Sequence, residues 1–142
     1  MRGRDKKDKE FGVLLLLEQA VRQTYADRRS SAIQPLQWSI LRYLHVQPQP
    51  KRQLRHLAEH LNLTRAPVAR AVKTLEARQF VVQVDGVTDM RTKTIGLTAA
   101  GAEILTSDPM RAAARRLALL PETDRACFQD VIEQVFLSAS TR

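Results

Sequence analysis

Basic side chains recur along one predicted helix in the middle of the chain, at spacings that place them on one face. At 100° per residue, Arg70 and Lys73 lie opposite the apolar stripe of residues 64–79, together with the small Ala66. Small residues let a helix backbone approach a groove, while cationic groups donate hydrogen bonds to phosphate oxygens and to guanine acceptors. Arg65, in the first turn, would point into the groove floor. This face has the chemistry to read a nucleic acid.

A second short helix precedes this one and packs against it in the predicted arrangement. Its apolar residues occur at i, i+3, i+4 and i+7 within residues 51–61, and they are Leu54, Leu57, Ala58 and Leu61. Asn62 follows, where a sharp turn between helices needs a residue that tolerates positive φ. Thr64 can cap the next helix or turn its hydroxyl towards a phosphate. The spacing predicts a helix-turn-helix.

A β-hairpin with a basic tip is predicted directly after the two helices. Residues 80–84 and 91–97 have extended patterns and are separated by Gly and turn formers. Asp89 and Arg91 share one side of a strand, so the carboxylate can orient the guanidinium towards a DNA minor groove, and Lys93 extends that side. A solvated surface ion pair is the alternative. The position of the hairpin favours the wing of a winged helix.

The distribution of charge agrees with a polyanionic partner. The chain has 23 Lys and Arg against 15 Asp and Glu, a formal net charge of +8. Residues 51–93 hold nine basic and four acidic side chains, a net charge of +5 in less than a third of the chain. Arg55 belongs to this excess and is predicted, with Lys73 and Lys93, to neutralise phosphates. A basic face that is merely solvated remains the alternative.

Length and composition limit the class of protein. A chain of 142 residues is the size of one domain, and its single cysteine excludes an intrachain disulfide. The longest apolar run, from Val13 to Leu17, is five residues, too short to span a membrane. We therefore expect a cytoplasmic protein without a membrane partner. No Gly-rich phosphate loop or catalytic set stands out, so neither an enzyme nor a bound cofactor is predicted.

Helices flank this central region, and the outermost ones are unusually apolar. Outside it we predict a disordered basic arm and four helices: residues 1–9, then 10–29, 35–46, a helix capped by Thr98 and broken at Pro109, and 121–138. The first of these helices is apolar almost all the way round, and the last carries a wide apolar stripe. A small monomer offers few elements to cover them. A homodimer is the economical explanation.

Three stretches of the chain resemble a known protein family. The runs LQWSIL, QLRHLAEHLNLTRAPVARAVKTLEARQFV and DGVTDMRTKTIGLTAAG resemble the multiple antibiotic resistance regulator (MarR) family of bacterial transcription factors. The similarity extends over residues 10–137 and is strongest over 36–101. It implies a mainly α fold with a small β-hairpin wing, a winged helix-turn-helix in an intertwined helical dimer.

The resemblance also implies an organisation and a function. A single domain of residues 10–142 would contain dimerisation helices at 10–34 and 98–142 around a DNA-binding lobe at 35–97. It implies a repressor that binds double-stranded DNA at a pseudo-palindromic operator and is released by a small aromatic or anionic ligand. The DNA-contacting positions of the family fall on Thr64, Arg65, Ala66, Arg70 and Lys73, and those of its wing on Asp89 and Arg91.

The chain departs from the family pattern at three positions. Gln79 stands where the family usually has Gly after the recognition helix, so we expect another geometry at the helix exit. Gln83 replaces an Arg that often follows the first wing strand. Pro109 interrupts a helix that is long and unbroken in the family, which weakens the expected coupling to a ligand.

Other residues have competing interpretations. Tyr25 and Trp38 are candidates for a ligand cavity, although core packing explains them equally well. Cys127 could sense oxidants or could simply pack beside apolar neighbours. His56 and His60 are spaced for one helix face, but no third metal ligand is evident. A winged helix that docks on another protein is the alternative to a DNA-binding function.

Overall fold

The structure, a computed structural model, describes residues 4–27, 29, 32–86 and 92–138, and for residues 4–7 it describes the backbone alone. The described residues form seven helices and one antiparallel hairpin: α1 (Arg4–Thr24), α2 (Pro35–Val46), α3 (Leu54–Leu61), α4 (Arg65–Ala77), β1 (Val81–Asp85), β2 (Lys93–Leu97), α5 (Ala99–Ile104), α6 (Met110–Ala118) and α7 (Glu122–Ile132). Shorter helical turns are Gln49–Lys51, Leu105–Ser107 and Glu133–Leu137. The predicted winged-helix fold, mainly α with one hairpin, is confirmed.

Two compact units make up the chain, residues 1–108 and 109–142. The core of the first unit lies where α2, α3, α4 and the hairpin meet. Nine side chains in it are almost completely buried: Ile40, Leu41, Leu44, Leu57, Val68, Val72, Leu75, Val81 and Ile95. They come from the apolar stripe of each helix and from the inward positions of each strand, because burial selects one face at the period of each element.

The hairpin is fixed to the start of α3 as well as to itself. Its register pairs Val81 with Leu97 and Asp85 with Lys93. On the other side of β2, the N–H of Ile95 donates to the carbonyl of Arg52 at 2.8 Å, and Gln53 forms a bridge with Thr94. The extended residues before α3 therefore act as a short third strand, which sets the position of the wing.

Both helices of the helix-turn-helix end in the same left-handed geometry. Asn62 has φ of 54°, as predicted, and the N–H of Leu63 donates back to the carbonyl of Ala58 at 3.0 Å. Gln79 has φ of 64°, and Phe80 donates to Leu75 in the same pattern. The expectation that Gln79 imposes another exit geometry is therefore wrong. The hydrogen bonds of the motif hold a residue with a Cβ atom in a conformation that glycine adopts more easily.

Helix α1 begins earlier than the sequence suggested. It starts at Arg4, whereas we expected a disordered arm up to residue 9 and a helix from Glu10. Lys, Arg and Glu are good helix formers, and opposite charges in residues 4–10 recur at i, i+4, the spacing that supports a solvent-exposed helix. Charge by itself was a poor indicator of disorder here. The helix also ends at Thr24, before the predicted end at residue 29.

Helical structure after Thr98 is interrupted, as predicted from Pro109. Helix α5 ends at Ile104 and is followed by the turn Leu105–Ser107, while Pro109 immediately precedes α6. Proline lacks an N–H and is well tolerated at the start of a helix but not in its interior. The long continuous helix implied by the family resemblance is therefore replaced by two shorter helices.

An ion pair closes the end of the first unit. Arg42 of α2 donates from Nε and Nη2 to the two carboxylate oxygens of Asp108, each at 2.6 Å, and Nη2 also donates to the hydroxyl of Tyr25 at 3.0 Å. The Asp108 side chain is only 7% exposed. Its hydrogen bonds raise the pKa of Arg42 above the ordinary value for arginine. The pair joins three segments that are distant in sequence.

Large apolar side chains remain exposed on helices at both ends of the chain. On α1 they are Phe11, Val13, Leu14, Leu15, Leu16 and Val21, and around α7 they are Phe128, Val131, Val135, Phe136 and Leu137. No helix among the described residues is both long enough and apolar enough to cross a membrane. Exposed apolar faces of this extent are typical of interaction surfaces.

Glycine at position 79 should give a more stable protein than alanine at the same position. We expect Gln79→Gly to raise the free energy of unfolding by about 0.5–1 kcal/mol relative to Gln79→Ala, because only the glycine relieves the left-handed backbone. Urea denaturation followed by circular dichroism measures the difference. Equal stability of the two variants would contradict the strain argument.

Loss of the Asp108 carboxylate should destabilise the first unit. Asp108→Asn leaves the part-buried Arg42 without its anion, and we expect a loss of about 2 kcal/mol in the free energy of unfolding. Asp27→Asn is the matched control. Its partner Arg29 lies equally close, at 2.6 Å, and lowers the pKa of Asp27 to about 2, but both side chains are exposed. The control should unfold like the wild type in urea, and equal effects of both substitutions would contradict the role of burial.

Candidate nucleic-acid interface

Helix α4 presents a basic face because its opposite face is held in the core. Val68, Val72 and Leu75 are at most 1% exposed, which fixes the rotation of the helix about its axis. The side chains predicted to face outward are all exposed: Arg65, Ala66, Arg70 and Lys73. None of the three cations forms an ion pair with another described residue. Their positive charge is available to a partner.

Thr64 lies at the cap of α4 without capping it through its side chain. Its backbone is extended, with φ of −74° and ψ of 162°, and its hydroxyl forms no hydrogen bond to the first turn. Pro67, the third residue of the helix, has no N–H to offer, which removes one of the usual partners of a capping side chain. The hydroxyl therefore stays available at the N-terminal end of the basic face.

A cavity of about 260 Å³ lies between α3, the first turn of α4 and the base of the hairpin. It brings together three predicted DNA-binding cations, Arg55, Arg65 and Lys93. Its remaining lining residues are Gln53, Leu54, Gln83, Thr92 and Ile95. The part of the lining that the structure describes contains no carboxylate, so its electrostatics favour an anion.

A second cavity, of about 560 Å³, lies beside the turn between α3 and α4. Arg55 and Arg65 line it as well, together with Thr64 and the acidic Glu59. The two arginines thus stand between the two cavities. The presence of a carboxylate makes this second cavity a poorer site for an anion than the first.

The wing is described at its base but not at its tip. Asp89 and Arg91 lie outside the described residues, so their predicted pairing stays a prediction. Lys93 is exposed at the start of β2. Gln83, at the position where the family often has arginine, donates its backbone N–H to Glu76 at 3.1 Å. This bond ties the first wing strand to the end of α4.

Sequence reasoning missed the polar residues that complete the smaller cavity. Gln53, Gln83 and Thr92 line it, and the Gln53 side-chain oxygen accepts a hydrogen bond from Nε of Arg55 at 3.1 Å. Gln83 was noted only as a departure from the family pattern, and nothing in the local pattern marks Gln53 or Thr92. They meet because β2 pairs with the chain just before α3, a contact between distant segments.

The ligand candidates occupy ordinary packing positions. Trp38 is 6% exposed in the core, and the hydroxyl of Tyr25 accepts a hydrogen bond from Arg42. Neither lines any of three cavities formed by the described residues, of which the third, about 380 Å³, lies between α2 and the end of α3 and includes His60. A ligand role for either residue stays a prediction.

The remaining candidates are Cys127 and the two histidines. The Cys127 thiol is exposed on α7 in the isolated chain, although we expected apolar packing to bury it. The ring of His60 packs against Tyr43 with centroids 4.9 Å apart, and Nδ1 of His56 is buried without a hydrogen-bond partner. Among the described residues, no three His, Cys, Asp or Glu side chains are grouped as a metal site would need.

Comparison with known proteins tests the family resemblance. Residues 33–92 match the model of the MarR family. The predicted MarR resemblance is confirmed. The matched segment contains α2, α3, α4 and β1, and therefore the whole helix-turn-helix and the base of the wing.

Solved structures of MarR-family regulators extend the similarity over most of the chain. The PcaV transcriptional regulator from Streptomyces coelicolor, in complex with its natural ligand, is 25% identical, with a TM-score of 0.68 over 87% of this chain and 88% of that chain. The Staphylococcus aureus MepR–DNA complex is 20% identical, with a TM-score of 0.72 over 87% and 96%.

A third similar structure is the transcriptional regulator BldR from Sulfolobus solfataricus, 16% identical, with a TM-score of 0.66 over 92% of this chain and 96% of that chain. The comparison with curated proteins found no match. At these identities the similar structures establish a shared fold. The chain has the fold of MarR-family transcription regulators.

Two threonines at helix starts should differ in their effect on stability. Thr98 accepts a hydrogen bond from the Gly101 N–H at 3.0 Å, and its hydroxyl donates to the carbonyls of Gln79 and Phe80, whereas Thr64 makes no such cap. We expect Thr98→Ala to lower the free energy of unfolding by about 1–2 kcal/mol and Thr64→Ala by less than about 0.5 kcal/mol. Thermal or urea unfolding compares them. A large loss for Thr64→Ala would show that its hydroxyl serves the fold.

Proposed function

We propose that this protein is a sequence-specific DNA-binding transcriptional regulator that acts as a homodimeric repressor. The observation that carries the proposal is the orientation of α4, whose buried stripe leaves Arg65, Ala66, Arg70 and Lys73 exposed beside a basic hairpin. A helix with small and cationic residues on its free face fits the major groove of DNA. The similarity to a regulator solved in complex with DNA supports the same partner.

Each exposed residue has a role set by its chemistry and position. Thr64, Ala66 and Arg70 lie on the leading part of α4 and would meet base edges in the major groove. Lys73, Lys93 and Arg55 would neutralise phosphates and so add affinity without sequence preference. Arg91, oriented by Asp89, would enter the adjacent minor groove.

The homodimer is proposed from the apolar surfaces of the terminal helices. Exposed leucine, valine and phenylalanine side chains on α1 and around α7 are more than a folded monomer leaves in water. We propose that residues 10–34 and 98–142 form the dimer region and that residues 35–97 form the DNA-binding lobe. Two-fold symmetry would present two α4 helices to half-sites about 10 base pairs apart.

Release by a small molecule is proposed from the ligand of a similar regulator and from one contact within the fold. The PcaV regulator was solved with its natural ligand, which supports an effector for this chain too, and a small aromatic or anionic compound is the class we propose. The contact of Arg42 with Tyr25 and Asp108 links α1, α2 and the segment after α5. A ligand that shifts this contact would alter the support behind the DNA-binding lobe.

Selection of duplexes from a random library tests the proposed function. The purified protein is incubated with random double-stranded fragments, bound fragments are amplified over several rounds, and the enriched sequences are compared. An inverted repeat with half-sites about one helical turn apart is expected. Absence of enrichment at low salt would overturn DNA binding and favour a protein-docking winged helix, and enrichment of a single half-site would overturn the dimer.

Arg70 is predicted to specify bases rather than merely to add charge. On the selected duplex, we expect Arg70→Ala to weaken binding by about 1–3 kcal/mol and to relax the preference at one position of each half-site. Fluorescence anisotropy against single-base variants of the duplex measures both effects. Lys9→Ala, on α1 but outside both the proposed dimer region and the DNA-binding lobe, removes an exposed charge and serves as the control. A uniform loss over all base variants would assign Arg70 to the phosphate backbone.

A further inference from the structure

Resting on the proposed function, we propose that the 260 Å³ cavity between α3, α4 and the hairpin is a binding site for a single DNA backbone phosphate, bound jointly by Arg55, Arg65 and Lys93. The sequence alone suggested that Arg65 reads bases. In the structure Arg65 lines one cavity together with Arg55 of α3 and Lys93 of the wing. The ligand is a phosphodiester oxyanion, and Arg65 acts as one of its three cationic ligands.

The electrostatics of the cavity support an anion of this kind. Three cations from three separate elements line it, and no Asp or Glu is among the described residues of the lining. None of the three forms a direct ion pair with a described residue. Like charges held together repel one another, and an anion placed between them relieves that repulsion.

One corner of the cavity is held in place by contacts within the chain. Gln53 accepts a hydrogen bond from Nε of Arg55 at 3.1 Å, which directs the guanidinium and leaves its terminal nitrogens as donors. The bridge between Gln53 and Thr94 holds this corner of α3 against β2, which begins with Lys93. The backbone positions of the three cations are therefore set by the fold, and an anion has to order only their side chains.

The neighbouring cavity shows why the phosphate belongs on the wing side of Arg55 and Arg65. The larger cavity at the helix-turn-helix turn also contains both arginines, but it includes Glu59 and lacks Lys93. A phosphate there would face a carboxylate. The wing-side cavity has Lys93 in place of Glu59, so an anion there meets a third cation and no described carboxylate.

A shared phosphate gives a specific signature in salt dependence. The logarithm of affinity falls with the logarithm of salt by about 0.9 for each phosphate neutralised. If the three cations bind one phosphate, each single glutamine variant changes the slope little, and the triple variant Arg55→Gln, Arg65→Gln, Lys93→Gln lowers it by about 0.9 per protomer. Three separate phosphates would give about 0.9 for each single variant and about 2.7 for the triple variant.

The experiment measures binding of a duplex by the full-length wild type, the three single variants, the triple variant and the control Lys9→Gln, over a range of sodium chloride. Circular dichroism confirms folding. Small changes in salt slope for the single variants, with a change of about 0.9 for the triple variant, support the proposal. Slope changes that add up over the three single variants overturn it while leaving the DNA-binding function intact. If the wild type binds no duplex at all, the proposed function fails as well, so the two failures are distinguishable.

A second arm separates the DNA phosphate from a free one. Inorganic phosphate replaces chloride at constant ionic strength, and nuclear magnetic resonance follows the side-chain amides of Gln53 and Gln83 without DNA. We expect phosphate to shift these signals and to weaken duplex binding by the wild type several-fold more than by the triple variant. A different result would overturn the proposal: phosphate shifts the amide signals, but the triple variant has the same salt slope on DNA as the wild type. The cavity would then bind a free oxyanion and not a DNA phosphate.

Discussion

Burial of one stripe of α4 is the constraint on which the rest of the interface depends. Val68, Val72 and Leu75 are inserted between α2, α3 and the hairpin, and apolar burial of this kind is worth about 1.5–3 kcal/mol for each large side chain. A helix so fixed cannot rotate about its axis without exposing them. The direction of Arg70 and Lys73 is therefore set by hydrophobic packing and not by any contact of their own.

The local features of the fold were predictable because their causes are local. The bounds of α2, the positive φ of Asn62 and the cap at Thr98 follow from proline, asparagine and threonine chemistry within a few residues. The outward face of α4 follows from helical periodicity. In each case the neighbouring sequence contains the whole physical reason.

Features that depend on distant contacts were not predictable from the pattern. Gln79 adopts a left-handed backbone because the end of α4, the start of β1 and Thr98 together fix its surroundings. The Arg42–Asp108 pair and the cavity shared by Arg55, Arg65 and Lys93 each join elements that are far apart in sequence. No short window contains both partners, so only the folded chain reveals them. The length of α1 was missed because charge was taken as evidence of disorder.

The basic side chains and the exposed apolar side chains lie on different parts of the chain, which agrees with the proposed function. The basic excess lies in the winged helix, whereas the exposed apolar side chains lie on α1 and around α7. One set of surfaces therefore favours a polyanion and the other a second protein chain. A dimeric DNA-binding protein needs both, and neither set competes with the other for the same residues.

Affinity cleavage tests the central claim most directly. A cysteine introduced by Ala66→Cys, in a Cys127→Ser background, is labelled with an iron chelate that cuts nearby DNA, and the fragments of a bound duplex are mapped. We predict cuts confined to two short tracts about one helical turn apart, while the same label at Ala114→Cys on α6 leaves these tracts uncut. Uniform cutting, or cutting from Ala114 alone, would show that α4 does not lie against the DNA.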